Sequence, residues 1–242
     1  MRLLVFAYHR ATAGPFGNDP AMLDAHFGHL ALNYNCVLPG EPLDRTRLNV
    51  CLTLDDATFD FHAVVFPLLG KHGLRALLAI CPGFARERVD ASAEERLKER
   101  SDAADAHPSR GGFCTWPELQ ELADSGRIAV AAHGYTHRRL DQPGTDLSSE
   151  ILVPQSLLAA RLGQPVESFV FPYGRFSPEA LDTVRKSYRH AVRLGGAGNH
   201  SWSQRLIYRI DADGMESPDA LFKPSRLAAY RARYLWNRIR LR

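Results

Sequence analysis

Three clusters in this 242-residue chain have the side chains and spacing to do chemistry: His133-Gly-Tyr-Thr-His137, the adjacent carboxylates Asp55-Asp56, and Tyr8-His9. Two histidines at i, i+4 on one face of a helical turn have Cβ atoms roughly 6 Å apart. Both imidazoles can then reach one ion at about 2.1 Å. Histidines so spaced also cap helices or line cores, so the pair alone leaves both readings open. Two aspartates after an apolar run likewise form turns. Adjacent side chains leaving a strand point in different directions. One carboxylate can therefore ligate a divalent metal while the other accepts a proton from the water that the metal acidifies. Three protein ligands leave positions open to water and substrate, as in a catalytic site rather than a closed structural one. The chemistry indicated is hydrolysis.

Those residues share a position in the chain. Each cluster, together with Phe171-Pro-Tyr173, stands at the downstream end of a short apolar run that reads as a buried strand. In a barrel of parallel strands the C-termini converge on one face, where residues distant in sequence meet. Strands are expected at 3–8, 48–54, 75–81, 128–132, 168–171, 191–194 and 206–210. Helices are expected at 61–72, shortened or kinked by Pro67, and at 147–162, ended by Gly163. Two more open at the capping box Thr115-Trp-Pro-Glu118 and at Ser177-Pro178-Glu179. This alternation predicts a parallel α/β sheet, open or closed, in a chain short for eight full βα units. Residues 84–110 are densely charged without a strand-like run. Ser92-x-x-Glu95 can cap a short helix there, or the stretch forms an ordered loop or mobile lid. With few apolar anchors it should be among the least ordered parts.

Composition bounds the function further. A hydrophobic fraction of 45% and a charged fraction of 24% are ordinary for a soluble globular protein. No linker or repeat divides the chain. A net charge of +3 is too small to argue for a nucleic-acid partner. Residues 226–242 hold six arginines and no acid, so the basic character is a tail on an otherwise acidic body. No 18-residue apolar stretch predicts a membrane span. The six-residue apolar run before His9 is short for a secretory signal, so a cytoplasmic location, free or at the inner membrane face, is expected. Cys36, Cys51, Cys81 and Cys114 lack metal-site spacing and read as reduced core thiols.

The segments Thr53-Leu-Asp55-Asp56, His133-Gly-Tyr-Thr-His137 and Phe169-Val-Phe-Pro-Tyr173-Gly174 resemble, in order and spacing, the first three motifs of the polysaccharide deacetylases (carbohydrate esterase family 4, the NodB-homology domain). Trp116-Pro-Glu-Leu ahead of the histidine motif resembles the family too. The likeness runs over roughly residues 1–215. It implies a distorted (β/α)7 barrel at 1–222, followed by a basic tail at 223–242, and metal-dependent de-N-acetylation of an amino sugar. By motif position Asp55 is then the base, and Asp56, His133 and His137 bind the metal, Zn2+ with Co2+ or Ni2+ as alternatives. The Tyr173 N–H would help stabilise the oxyanion.

Two departures matter. Val170 stands where the family's third motif carries the arginine that pairs with the catalytic aspartate. The late Leu-x-His motif that supplies the acid has no match after Gly174. Some relatives, the poly-N-acetylglucosamine deacetylases among them, place a histidine after the first strand instead. That assigns the acid to His9, expected across the pocket from Asp55; the other reading is a histidine merely ending a strand. Arg209 either replaces the missing arginine or lies on the surface. The tail, with Leu227, Tyr230, Tyr234, Leu235 and Ile239 at near-helical spacing, either lies on an anionic membrane or packs on the barrel. A carbohydrate substrate in surface-polysaccharide assembly is expected. An amidase acting on a small non-sugar amide and a catalytically weak glycan-binding protein are the alternatives.

Overall fold

The computed structural model describes residues 1–14, 16–99 and 111–240. Its strands are β1 (Leu3–Tyr8), β2 (Asn35–Cys36), β3 (Asn49–Leu54), β4 (Ala76–Ile80), β5 (Ile128–Ala132), β6 (Ser168–Val170), β7 (His190–Leu194) and β8 (Ile207–Asp211). All pairings are parallel and run β1-β8-β7-β6-β5-β4-β3, and pairing of β1 with β3 closes the ring. The two-residue β2 hangs on β3 outside the ring. This is the (β/α)7 barrel. Its distortion lies at the β1–β8 and β5–β6 seams, which hold two register pairs each.

Period-two alternation sorts the strand side chains into two cores. Leu3, Val5, Cys51, Leu77, Ala79, Ala131, Val170, Val192 and Ile207 fill the barrel interior. Leu4, Phe6, Tyr8, Val50, Leu52, Leu54, Leu78 and Ile80 point outward under the helices. Those helices are α1 (Pro20–Asn33), α2 (Phe66–Lys71), α3 (Ala93–Lys98), α4 (Trp116–Asp124), α5 (Val153–Leu162), α6 (Pro178–Ser187) and α7 (Pro224–Arg240). The four cysteines are free, three of them buried. Among the described residues no helix is long and apolar enough to cross a membrane.

The structure departs from the sequence pattern in three places. No element is legible between Tyr8 and residue 48, yet α1 forms there, capped by Asp19, whose side chain accepts from Met22 N, with Pro20 in the first turn. The helices expected at 61–72 and 147–162 each begin as a π-helical turn, Phe61–Val65 and Ser148–Leu152. In both, the α-helix proper has proline in its first turn. Proline removes a donor and crowds the preceding carbonyl, which favours the wider turn. Finally, the described part of 84–110 is anchored rather than loose. The Ser92 capping box forms α3. From α3 the buried Arg96 binds Glu118 at 2.6 and 2.9 Å and the Gly111 and Phe113 carbonyls at 2.8 Å. In this described part, a paired arginine supplies the anchoring that few aliphatic residues could. Residues 100–110 lie outside the described ones.

One outward contact is expected to make the fold sensitive to acid. His26 on α1 is fully buried; its Nδ1–H donates to Pro218 O (2.6 Å), so Nε2 accepts from Tyr8 Oη (2.8 Å). Burial pushes its pKa down to about 4. A base depressed in the folded state contributes stability fully present above its unfolded pKa of about 6.5. That contribution is lost as pH falls toward about 4. The shift corresponds to about 3 kcal/mol. Urea unfolding at pH 7.5 and pH 4.5 should show His26→Gln losing less stability than the wild type over that interval. Equal losses would exclude His26 as a source of acid sensitivity.

Candidate active site

The inward-pointing register delivers the polar residues to one end of the barrel. His9 continues the interior series Leu3, Val5, Ala7, and Asp55 continues Cys51, Thr53. His133 follows Ala131 and Arg209 follows Ile207. Tyr8 lies opposite Leu54 in the β1–β3 register, so His9 and Asp55 leave neighbouring strands side by side. Asp55 N donates to Tyr8 O at 3.0 Å, which fixes that exit.

Asp56, His133 and His137 form a cluster whose ligand atoms all lie within 4.8 Å of one another. The two Nε2 atoms are 3.1 Å apart, and Asp56 Oδ1 lies 3.7 Å from His133 Nε2 and 3.6 Å from His137 Nε2. Atoms arranged tetrahedrally about an ion at about 2.1 Å stand roughly 3.4 Å apart, so the triangle has the size of a metal site. His133 Nδ1–H donates to Val170 O (2.7 Å), which leaves its Nε2 lone pair facing the cluster. Burial lowers the His133 pKa to about 4 and holds the ring neutral. Burial also raises the Asp56 carboxyl. Asp56 Oδ1 is buried without a hydrogen-bond partner among the described residues. Two imidazoles and an orphaned carboxylate oxygen fit a divalent cation.

The i, i+4 histidines do not sit on a helical turn. His133 follows β5 directly, Gly134 turns the chain at φ 77°, and His137 adopts φ 57°. A non-helical loop needs outside support, and Glu150 supplies it. Its Oε2 accepts from Tyr135 N (2.8 Å) and Thr136 N (3.1 Å), and its Oε1 from Thr136 Oγ1 (2.6 Å). A Cβ at Gly134 would come within 2.8 Å of Glu150 Oε2, so the carboxylate requires glycine there. Glu150 is one of the residues that sequence reasoning missed.

Beside the cluster runs a chain of alternating charges. Arg209, 1% exposed, grips Asp55 with Nη1–Oδ1 at 2.6 Å and Nη2–Oδ2 at 2.7 Å, and reaches Thr53 Oγ1 at 3.0 Å. It thus lies in the core and not on the surface, facing the carboxylate that Val170 cannot serve. Burial would raise the Asp55 carboxyl, but the guanidinium, aided by His133 and His9, holds it well below the usual carboxylate range. Asp55 Oδ2 lies 3.6 Å from His9 Nε2 and 3.8 Å from His133 Nε2. His9 is therefore adjacent to Asp55 rather than across the pocket, because β1 and β3 are paired strands. Its Nδ1 bonds Asp213 Oδ2 at 2.6 Å, and its backbone N donates to Asp213 Oδ1 at 3.2 Å. Burial alone would lower the His9 pKa, but Asp213, with Asp55 and Asp56, raises it to about 9. Asp213 was also missed, although Asp211-Ala-Asp213 follows an apolar run just as the other site residues do. His200 is not part of this group: next to Asn199, which pairs with Leu3 at the start of β1, its ring lies tilted against that of Tyr234, with centroids 4.7 Å apart.

Among the described residues four non-glycines have positive φ: Asp56 (70°), Ala57 (52°), His137 (57°) and Tyr173 (55°). All four are at or beside the cluster. Such backbone costs about 1–3 kcal/mol per residue and persists where the surroundings over-determine it. Tyr173 lies in the 3₁₀ turn Pro172–Gly174, 45% exposed, with its ring 4.5 Å from that of His137. It borders an open 430 Å³ cleft lined also by Thr136, Arg138, Arg139 and Gln142.

Barrel, ligand triangle and charge chain together define a barrel hydrolase. The polysaccharide deacetylase sequence profile matches residues 44–192, and the chain belongs to that family. It is thereby a hydrolase of amide bonds. No curated protein matches the chain by sequence. Solved structures match along nearly its whole length. PplD, a deacetylase from Streptococcus pyogenes solved with acetate, is 19% identical, with 92% of this chain and 97% of that one covered at a TM-score of 0.72. A de-N-acetylase from Aggregatibacter actinomycetemcomitans is 18% identical, with 94% and 99% covered at 0.71. IcaB from Ammonifex degensii is 19% identical, with 94% and 96% covered at 0.70. At these identities the likeness establishes the fold.

Two tests follow. Arg209→Met leaves Asp55 buried without its partner and should cost about 3–5 kcal/mol in chemical denaturation at pH 7. Asp55→Asn in the same chain should recover part of that loss, and strictly additive costs would mean the two do not interact. Glu150→Ala should weaken metal retention about tenfold, as removal of outer-sphere support does; unchanged affinity in a chelator competition would show that the loop holds itself.

Proposed function

We propose that the chain removes the acetyl group from an N-acetylated amino sugar in surface-polysaccharide biosynthesis. The observation that carries this reading is the single Asp55 oxygen flanked by the ligand triangle on one side and a cationic imidazole on the other. Asp56, His133 and His137 would hold a divalent ion, Zn2+ first and Co2+ or Ni2+ as substitutes. When bound, that ion supplies Lewis acidity to the attacking water and the substrate carbonyl.

The side chains divide the proton work. Asp55, ionised at any working pH, accepts the proton of the attacking water. The Arg209 clamp makes it a weak base, so the water must already be acidified. The Tyr173 backbone N–H donates to the developing oxyanion. His9, cationic at neutral pH with a pKa of about 9, gives its Nε2 proton to the amine nitrogen as the C–N bond breaks. Acetic acid and the free amine leave, the acid giving its proton to the amine or to solvent, with Asp55 protonated and His9 neutral. Returning one proton across the 3.6 Å between them, through a small shift or a bridging water, restores the starting state. Groups whose environments push their pKa values apart are the usual mark of an acid–base pair. A glycan-binding protein would have no use for that separation.

Acetate release from a panel of N-acetyl sugars, with and without chelator, tests the reading. Chelator-sensitive release from a sugar is expected, release from small non-sugar amides alone would mark an amidase, and none would leave a binding protein. Asp55→Asn should abolish turnover while the protein keeps its metal, whereas Asp56→Asn should lose the metal; the opposite pattern would reverse the roles. His9→Ala should retain metal and lose about 10²–10⁴-fold in rate. Asp213→Asn should move the alkaline limb of the rate profile down toward pH 7, because His9 then loses its proton earlier. An unmoved limb would remove His9 as the acid.

A further inference from the structure

The outer face of α7 points away from the barrel and the site. One face of this helix packs on the barrel: Leu227, Tyr230 and Tyr234 join the outer core, and Asn237 Nδ2 donates to Gly195 O at 3.0 Å. With about 3.6 residues per turn, the opposite face carries Ala228, Ala232, Leu235, Trp236 and Ile239. The last three are 63%, 49% and 67% exposed, three of the eight large hydrophobic side chains so exposed among the described residues. Arg231 and Arg238 border this apolar stripe along one edge, and Arg226 and Arg233 along the other. All four are exposed, and no acid follows Asp219 in the sequence.

We infer that α7 lies in the interface of an anionic lipid bilayer and docks the barrel there. The inner face is already packed on the barrel, and Leu235 and Ile239 stand mostly in solvent, so insertion leaves the barrel contacts of α7 in place. Leu and Ile side chains of an in-plane helix enter the acyl boundary, and tryptophan favours the headgroup level. Arginines on both edges can extend their stems along the stripe and bring their guanidinium groups to lipid phosphates. The charge pattern selects this occupant over a second copy of the chain. A two-fold pairing through the stripe would set arginine edges against one another without an acid to balance them. The helix is also tied to the site: Gly195, held by Asn237, donates its N–H to Arg209 O at 3.1 Å, so the docked end adjoins the rim of β7 and β8.

The test is cosedimentation of the full chain with vesicles of 70% phosphatidylcholine and 30% phosphatidylglycerol, and with phosphatidylcholine alone. Binding to the anionic vesicles, release by 0.5 M salt and a blue-shifted tryptophan emission are expected. The Leu235→Ser/Trp236→Ser/Ile239→Ser variant should bind at least tenfold more weakly with unchanged acetate release from a soluble substrate. Arg231→Gln/Arg238→Gln should weaken binding about fivefold per arginine. No binding at low salt, equal binding to neutral vesicles, or full binding by the triple variant would each overturn the proposal. So would a concentration-dependent dimer that the triple variant abolishes, if the wild type ignored vesicles.

Discussion

The buried pair of Arg209 and Asp55 is the constraint about which the pocket is arranged. Two charges taken out of water cost several kcal/mol each, and only close, multiply bonded geometry returns that cost. Here the guanidinium meets both carboxylate oxygens and a threonine hydroxyl. The two residues come from β8 and β3, which do not touch each other; β1 stands between them. The pair therefore bridges the ring across the strand that carries His9, and it can form only when the barrel is closed. Its position decides the state of everything next to it. An ionised Asp55 raises His9, and a guanidinium in the wall adds to the burial that keeps His133 neutral.

Along the line Arg209, Asp55, His9, Asp213 the charges alternate and cancel. Asp56 is left over, facing two imidazoles of which His133 is held neutral. A lone buried carboxylate is costly unless neutralised by a proton or a cation. Burial raises its carboxyl, which marks a site where a positive charge beside it would be favourable. A dication supplies that charge directly, so the proposed metal chemistry rests on the same electrostatic balance as the stability of the pocket.

What the sequence made legible follows from this construction. Strand ends were readable because alternation and turn residues are local, and the convergence of Asp55, Asp56, His133, His137 and His9 follows from parallel strands alone. Residues that act by long-range pairing were harder. Arg209 looked like either a core or a surface residue, because an arginine's place depends on its partner 154 positions away. Glu150 gave no signal, and Asp213 only that of its place after an apolar run, since a buried carboxylate that organises backbone amides or an imidazole is indistinguishable in sequence from a solvated one. The same applies to Arg96, whose pairing fixes a segment that composition marks as loose. Helix α1 was missed for another reason: its apolar residues do not fall on a clean helical stripe, and tertiary burial outweighs the weak local pattern.

The family profile spans residues 44–192, which contain the Asp56, His133 and His137 triangle and Asp55. The residues that set the charge around Asp55 come from outside it, at β1 and β8 and the loop that follows. That half depends on the β1–β8 seam, which has only two register pairs. Extra bonds reinforce it at the level of Asp213. Ala212 N donates to Ala7 O (2.9 Å) and Gly214 N to Gly17 O (2.9 Å). The buried Asn18 donates to Ala212 O and accepts from Met215 N, both at 2.8 Å. A carboxylate on a free loop would spend conformational entropy each time it met His9. Pinned on both sides, Asp213 meets the imidazole already oriented, and the raised His9 pKa becomes a fixed property of the barrel wall.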